Sequence, residues 1–417
     1  MVLARVGIFI TFSLLHHHRH RRHHPKELSN NPLVSILIPA YNEGLTLENC
    51  VVSLFQQDYT NYEIIIINDG STDDTEKIAW KLHDRYEHYK IRVYSQPNGG
   101  KASALNLGIA KAKGQIIISM DADSMFLPDA IRQLVLSFHD PEVAAVGGNV
   151  RVANGGKLLP MHQAIEYITG LAIQRCAFAY MGCMQVISGA IGAFRTDALR
   201  EVGGYSKDTI VEDMDITVTL ARKGYRVIYN RHAIAYTEAP ESLRAFMKQR
   251  YRWVYGGFQV AAKHRDLFMK RHYRRMGTVG IPYFMIFPWV DVVVSAILLY
   301  GYGAVIAGGN PQGLIEFYLA LTTLQISLML YALVIDKQSK WLSLLAFIYG
   351  LFYSFVISYV TVKAGVNYLR GRGPSWNKLQ RYGKNSLPQP FMQPTAAAAQ
   401  PAEEVPEGAL PEAANAE

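Results

Sequence analysis

Several short runs in this chain bring chemically useful side chains close together. Asp121 and Asp123 stand two residues apart, directly after the apolar run Ile116–Met120. At the end of a strand such a pair can hold one Mg²⁺ or Mn²⁺ and leave positions open for a diphosphate, because hard cations take oxygen ligands. Spaced aspartates also arise by chance, and Asp213 with Asp215 is a second pair; the position after a buried strand favours the first. Glu212 and Asp213 lie between a Gly-rich turn and a helical stretch. A carboxylate there serves as a general base or simply caps the helix. On a helix Gln249, Arg252 and Trp253 fall at i, i+3 and i+4 and share one face. Arginine forks onto phosphate oxygens, and an aromatic face stacks on a pyranose. An interfacial tryptophan accounts for Trp253 alone and not for the set.

Two loops complete the inventory. Asn98-Gly99-Gly100-Lys101 precedes a helix, so the glycines let backbone approach a phosphate that Lys101 reaches; a turn with a solvated lysine fits equally well. One apolar run closes in Ala40, Tyr41 and Glu43 and the next in Asn68 and Asp69. Small groups and carboxylates at adjacent strand ends suit the base and ribose of a nucleotide. The run NDGSTDD also reads as a loop and helix N-cap, with Ser71 or Asp73 as the cap. Neither GxGxxG after a strand nor GxxxxGK[ST] occurs, which argues against a dinucleotide fold and a P-loop.

The elements that must carry these residues follow from periodicity. Strands are expected at Val34–Ile38, Glu63–Ile67, Ile91–Tyr94 and Ile116–Ser119, with amphipathic helices at 43–57, 73–86 and 101–112. That alternation predicts βαβ units and a parallel sheet covered on both faces. Ligands in such sheets bind beyond the carboxyl ends of the strands. An α/β domain is therefore expected over 32–240 and surface helices over 241–276.

Of the 417 residues, half are hydrophobic and 18% charged, which excludes a mostly disordered, fibrous or disulfide-stapled chain. The mean hydropathy of +0.04 averages two unlike regions. Residues 279–307, 312–335 and 341–362 contain only Asp291 and Glu316 as charges. Each is long enough to span a bilayer, so transmembrane helices are expected over 277–365. A basic segment (366–384) and a disordered Pro/Ala/Glu tail (385–417) follow. The tail holds five Glu and no Lys or Arg, so the net charge of +8 becomes +13 for the remainder. Lys263, Arg265, Lys270, Arg271, Arg274 and Arg275 lie before the spans, and Arg370, Arg372, Lys378, Arg381 and Lys384 after them. Positive-inside logic puts both groups in the cytoplasm against membrane lipid, and the lack of a nucleic-acid motif argues against nucleic acid as a partner. Three crossings conflict with that rule. Residues 279–290, broken by Pro282 and Pro288, are candidates for an interfacial or re-entrant segment, and the crossing number stays open. Residues 1–31 read as a short membrane anchor and basic linker, with Arg19, Arg21 and Arg22 making His16–His24 a juxtamembrane stretch rather than a metal site. Cys50, Cys176 and Cys183 fit a reducing compartment and receive no chemistry.

In order, PAYNEG, NDGSTDD, NGGKASALN, MDADS, SGAIGAFR, VEDMD and QRYRW precede the hydrophobic C-terminal part. This series resembles the processive membrane glycosyltransferases of family 2. It is most similar to poly-β-1,6-N-acetylglucosamine synthases, with cellulose and hyaluronan synthases more distant. The resemblance implies a GT-A nucleotide-sugar domain, with a mostly parallel sheet, fused to interfacial and transmembrane α-helices. Its active site would lie at the cytoplasmic mouth of a polymer channel in a multi-pass protein of the cell (inner) membrane. It implies Asp69 at the uridine and Asp123 on the metal with Asp121 close by. Asp213 would be the base, next to Glu212. Gln249, Arg252 and Trp253 match QxxRW, at the diphosphate and the acceptor end, with Lys101 helping to offset the charge of departing UDP. The implied reaction is an inverting transfer from a UDP-sugar, UDP-GlcNAc favoured, to a growing polysaccharide acceptor, with Mg²⁺ or Mn²⁺ as cofactor. Alternatives are a glycolipid product, a β-glucan made from UDP-glucose, and an inactive scaffold or export component; any accessory subunit is unassigned. The N-terminal anchor is shorter than the family's usual pair of spans, and the tail has no counterpart there.

Overall fold

The computed structural model describes residues 2–23, 25, 27, 30–308, 311–335, 346–373 and 383. Its strands are β1 (Val34–Ala40), β2 (Tyr62–Asn68), β3 (Ile91–Ser95), β4 (Ile116–Ser119), β5 (Ser124–Phe126), β6 (Val143–Val152), β7 (Gly192–Arg195) and β8 (Arg226–Thr237). They form one sheet in the order β3-β2-β1-β4-β7-β6-β8-β5. The helices are α1 (Val2–His23), α2 (Leu47–Leu54), α3 (Thr75–Arg85), α4 (Lys101–Lys111), α5 (Ala130–Leu136), α6 (Leu158–Glu166), α7 (Ile173–Met181), α8 (Thr196–Glu201), α9 (Glu212–Arg222), α10 (Leu243–Lys263), α11 (Ile281–Ala307), α12 (Pro311–Ile335) and α13 (Ala346–Leu369).

In β2 every residue is buried, because side chains alternate between two covered faces. Ile64 and Ile66 pack with Leu47, Leu54 and Leu82 of α2 and α3. Ile65 and Ile67 pack with Leu105 and Ile109 of α4. Burying each such side chain contributes about 1.5–3 kcal/mol. The pairings β2–β3, β1–β2 and β1–β4 are parallel, as the alternation predicts. Beyond them the sheet turns mixed: β7 runs antiparallel between β4 and β6, and β5 is an antiparallel edge on β8. These strands escape a hydrophobic pattern because β6 carries Gly147-Gly148, β7 is four residues long and β8 is interrupted by Asn230, Arg231 and His232.

The cap expected from NDGSTDD becomes lacing between two loops. Ser71 Oγ accepts from the Asn42 N–H at 2.9 Å, and Asn42 Oδ1 accepts from the Thr72 N–H at 2.7 Å. Asp73 divides its carboxylate between the Thr75 N–H at the start of α3 (3.0 Å) and the Gly44 N–H (3.1 Å).

At the N-terminus residues 2–23 of the expected anchor and linker form one helix, which runs through the basic stretch to His23. It is held by tertiary contacts: Phe9 meets Phe178 and Tyr283 edge-on, and Phe12 stacks on Tyr180. The expected break over 279–290 is also absent. A π-helical turn at Met276–Gly280 runs directly into α11, and the helix continues past both Pro282 and Pro288. Among the described residues one helix, Met276–Val305, is long and apolar enough to cross a membrane. Its Ile297, Leu299 and Tyr300 are exposed. Residues 341–345, Lys378, Arg381, Lys384 and the tail at 385–417 lie outside the described residues.

Candidate active site

Lys101, the first residue of α4, gathers the carboxylates. Its Nζ lies 2.6 Å from Asp121 Oδ1, beyond the end of β4, and 3.1 Å from Glu212 Oε1, at the start of α9. The expected phosphate-reaching lysine is thus ion-paired; burial works against its charged form, but these carboxylates, with Asp213, outweigh it and raise the pKa. Asp213 occupies the first turn of α9, where free N–H groups favour a carboxylate. Its Oδ1 accepts from the Met214 N–H at 2.9 Å and its Oδ2 from the Gly189 N–H at 3.3 Å. Burial and the neighbouring Glu212 push the Asp213 carboxyl up to about 6, against the opposing pull of Lys101 and Arg252. A carboxyl poised there is deprotonated at neutral pH yet basic enough to take a proton.

These groups line a cavity of about 480 Å³ together with Asp123, Gln249, Arg252 and Trp253. Eight of the expected site residues therefore converge from β4, α4, α9 and α10. The cavity continues between helices, where Tyr283, Phe287 and Asp291 of α11 and Ser358 and Thr361 of α13 form its wall. Asp291 pairs with Arg5 of α1 at 2.8 Å.

Ala40, Tyr41, Glu43 and Asp69 do not line this cavity. They stand at the carboxyl ends of β1 and β2, joined by the Asp69 N–H to Ala40 carbonyl bond at 2.8 Å. Glu43 accepts from the Thr46 hydroxyl at 2.9 Å. The Asp69 carboxylate is buried and engaged by Gln96 Nε2 (2.6 Å) and by the Gly99 and Gly100 N–H groups (both 2.9 Å). It therefore shapes the loop that leads to Lys101. Next to it Gly70 has φ +70°, and a Cβ there would meet the Asn98 nitrogen at 2.7 Å. Gly70→Ala combines left-handed strain with a backbone clash, so it is expected to destabilise the domain by about 2 kcal/mol or more, read as a lower thermal midpoint.

The donor set fits a divalent cation shared with a phosphate ligand. Asp123 is buried, with Oδ1 accepting from the Thr237 hydroxyl at 3.3 Å, and Asp121 is about a third exposed. No cluster of three or more His, Cys, Asp or Glu occurs among the described residues. Two carboxylates supply oxygen ligands and leave the remaining positions to water and phosphate, which suits Mg²⁺ or Mn²⁺ better than a closed zinc site. In the second aspartate pair Asp213 lines the cavity, whereas Asp215 serves structure. Asp215 is buried against Lys263 (2.9 Å) and His264 Nε2 (2.8 Å), tying α9 to the end of α10.

Sequence reasoning missed Arg250 and Glu166, which form a buried ion pair between α10 and α6, and Tyr353 of α13, which donates to Glu166. A lone acid in the apolar run Ala164–Ile168 was the available signal for Glu166. It also missed Arg175 and Gln185, which line the cavity. All three cysteines are buried, and none forms a disulfide.

Comparison with known proteins places this geometry. Over 236 residues the chain is 36% identical to a poly-β-1,6-N-acetyl-D-glucosamine synthase of Staphylococcus aureus, covering 56% of each protein. A protein of the same name from Staphylococcus epidermidis is 33% identical over 228 residues, covering 54% of this chain and 55% of that one. The chain thus aligns with about half the length of these relatives. A mannosyltransferase of Pyrobaculum calidifontis, solved with GDP-Man and Mn²⁺, is similar with a TM-score of 0.62 over 88% of this chain and 99% of that one. At 21% identity that likeness concerns the fold, and it agrees with the expected GT-A architecture. Residues 31–256, more than half of the chain, match the family described as Glycosyltransferase like family 2, and the protein belongs to that family.

Proposed function

We propose that this protein is an inverting glycosyltransferase that moves GlcNAc from UDP-GlcNAc to the end of a growing β-linked polysaccharide at the cytoplasmic face of the cell membrane. The observation that carries the reading is the single cavity in which Asp121, Asp123, Asp213, Arg252 and Trp253 meet and which continues between α11 and α13. The names of the staphylococcal relatives support the donor and the linkage class. In this reading residues 32–240 form the catalytic domain, 241–276 the surface helices and 277–365 the multi-pass membrane part.

Asp213 removes the proton from the acceptor hydroxyl, and that oxygen attacks C1 of the donor from the face opposite the diphosphate. One base and a stabilised leaving group suffice for inversion, and no protein nucleophile is needed. Asp121 and Asp123 would hold Mg²⁺ or Mn²⁺, which supplies positive charge to the leaving diphosphate when bound. Arg252 and Lys101 add charge on the same side, and Glu212 keeps Lys101 in place. Trp253 offers its face to the acceptor sugar, and Ala40, Tyr41 and Glu43 take the uridine end, beside the loop that the Asp69 carboxylate orders. Purified full-length protein in detergent, given a panel of labelled UDP-sugars, tests the reading. A long product from UDP-GlcNAc, digested by a β-1,6-specific hexosaminidase, is expected. A single glycolipid, a glucan from UDP-glucose, or no turnover would each overturn it.

A further inference from the structure

Arg250 lies inside the QxxRW run yet does not line the cavity; its side chain is 3% exposed. Its Nη2 donates to Glu166 Oε2 and its Nη1 to Gln249 Oε1. The other Glu166 oxygen accepts from the Tyr353 hydroxyl of α13. The guanidinium also lies over two rings, 4.2 Å from the Trp253 centroid and 4.5 Å from that of Phe246.

A buried ion pair is a poor source of stability, because desolvation offsets its attraction and well-packed apolar groups do as well. Its geometry suggests another use. With Gln249 Oε1 taken by Arg250, the amide NH₂ is the end left for the cavity, so Gln249 presents donors to ligand oxygens. The flat guanidinium likewise fixes the plane of the Trp253 indole. Glu166 sets the position of Arg250, and Tyr353 sets Glu166. Tyr353 belongs to the helix whose Ile357, Ser358 and Thr361 line the far wall of the same cavity. Three hydrogen bonds thus connect a membrane-part helix to the Gln249 amide, and the first two with the stacked guanidinium connect it to the Trp253 ring.

We propose that Arg250, Glu166 and Tyr353 are positioning residues that hold Gln249 and Trp253 for the acceptor saccharide and tie their placement to the seat of α13. This rests on the glycosyltransferase reading above. A lysine at position 250 keeps the charge but loses both the fork and the flat face, and phenylalanine at 353 loses only the hydroxyl.

The test uses full-length protein in detergent, UDP-GlcNAc as donor and a short β-linked GlcNAc oligosaccharide as acceptor. Arg250→Lys is expected to raise the acceptor KM at least tenfold and to shorten the product, with the donor KM within twofold of wild type. Tyr353→Phe should act in the same direction by about threefold, at an unchanged thermal midpoint. Acceptor KM and product length as in wild type for Tyr353→Phe would overturn the proposal, as would donor and acceptor parameters worsening together. Should Arg250→Lys fail to fold, Tyr353→Phe decides alone. An inactive wild type removes the proposed function and this inference with it, whereas an active wild type with unaffected variants removes only the inference.

Discussion

With Asp213 as the proposed base, Asp213→Asn is expected to lower sugar transfer by about 10³-fold while making the fold more stable, because a base role and a buried site make opposite demands on this carboxylate. Asparagine keeps the shape, and its single oxygen can still accept from the Met214 N–H at 2.9 Å, but it cannot take a proton. Its NH₂ cannot replace the second oxygen, which accepts from the Gly189 N–H at 3.3 Å, and that loss offsets part of the gain. The stability gain follows from linkage. The folded-state carboxyl titrates at about 6, above its ordinary 3.8, so between those values the folded chain binds more protons than the unfolded one. Stability contributed by this group is present at low pH and is lost as pH rises through that window. At pH 7.5 the charged form therefore costs the fold about 1–3 kcal/mol, which the neutral amide removes. Differential scanning fluorimetry with a chelator present should show a higher midpoint for the variant at pH 7.5 and little difference near pH 4. Wild-type activity should fall as pH drops through about 6, where the base becomes protonated. Near-normal transfer by the variant would show that another group is the base.

Asp123→Asn carries the second large effect. The amide can still accept from Thr237 through its carbonyl oxygen, so folding should be nearly intact, but an anionic oxygen ligand is lost. Transfer is expected to fall by about 10²-fold or more, and Mn²⁺-dependent UDP binding, followed by isothermal titration calorimetry, should weaken in parallel. Asp121 differs because its charge also balances Lys101. Asp121→Asn should therefore disturb the Lys101–Glu212 arrangement as well as the cation. If UDP binding by Asp123→Asn kept its full dependence on Mn²⁺, the assignment of that residue to the metal would fail.

Legibility in the sequence followed the range of the interactions involved. The first four strands and the helices between them could be read within a residue or a few, since their burial depends on local alternation and each strand is closed by polar residues. So could the order of the motifs, because in a βαβ sheet each chemical group follows its own strand or opens its own helix. The antiparallel insertion of β7 could not be read. A four-residue strand has no period to detect, and its place is set by partners on β4 and β6. The expected free roles of Asp69 and Lys101 were likewise incomplete. Asp69 spends its carboxylate on the loop at 96–100, and Lys101 spends its charge on Asp121 and Glu212.

Residue types and spacing alone therefore established an α/β domain with carboxylates at its strand ends, a QxxRW helix and a long apolar C-terminal part. These features are written in contiguous stretches of ten or twenty residues, where side-chain period and charge are sufficient. Tertiary structure alone decided that Asp121, Asp213 and Trp253 open into one cavity and that this cavity runs on between α11 and α13. It also decided that Glu166, Arg250 and Tyr353 meet, although Tyr353 is 187 residues from Glu166 in the chain. No local pattern encodes such meetings. They arise when the sheet and the C-terminal helices bury their apolar faces, and the charges caught between them must find partners.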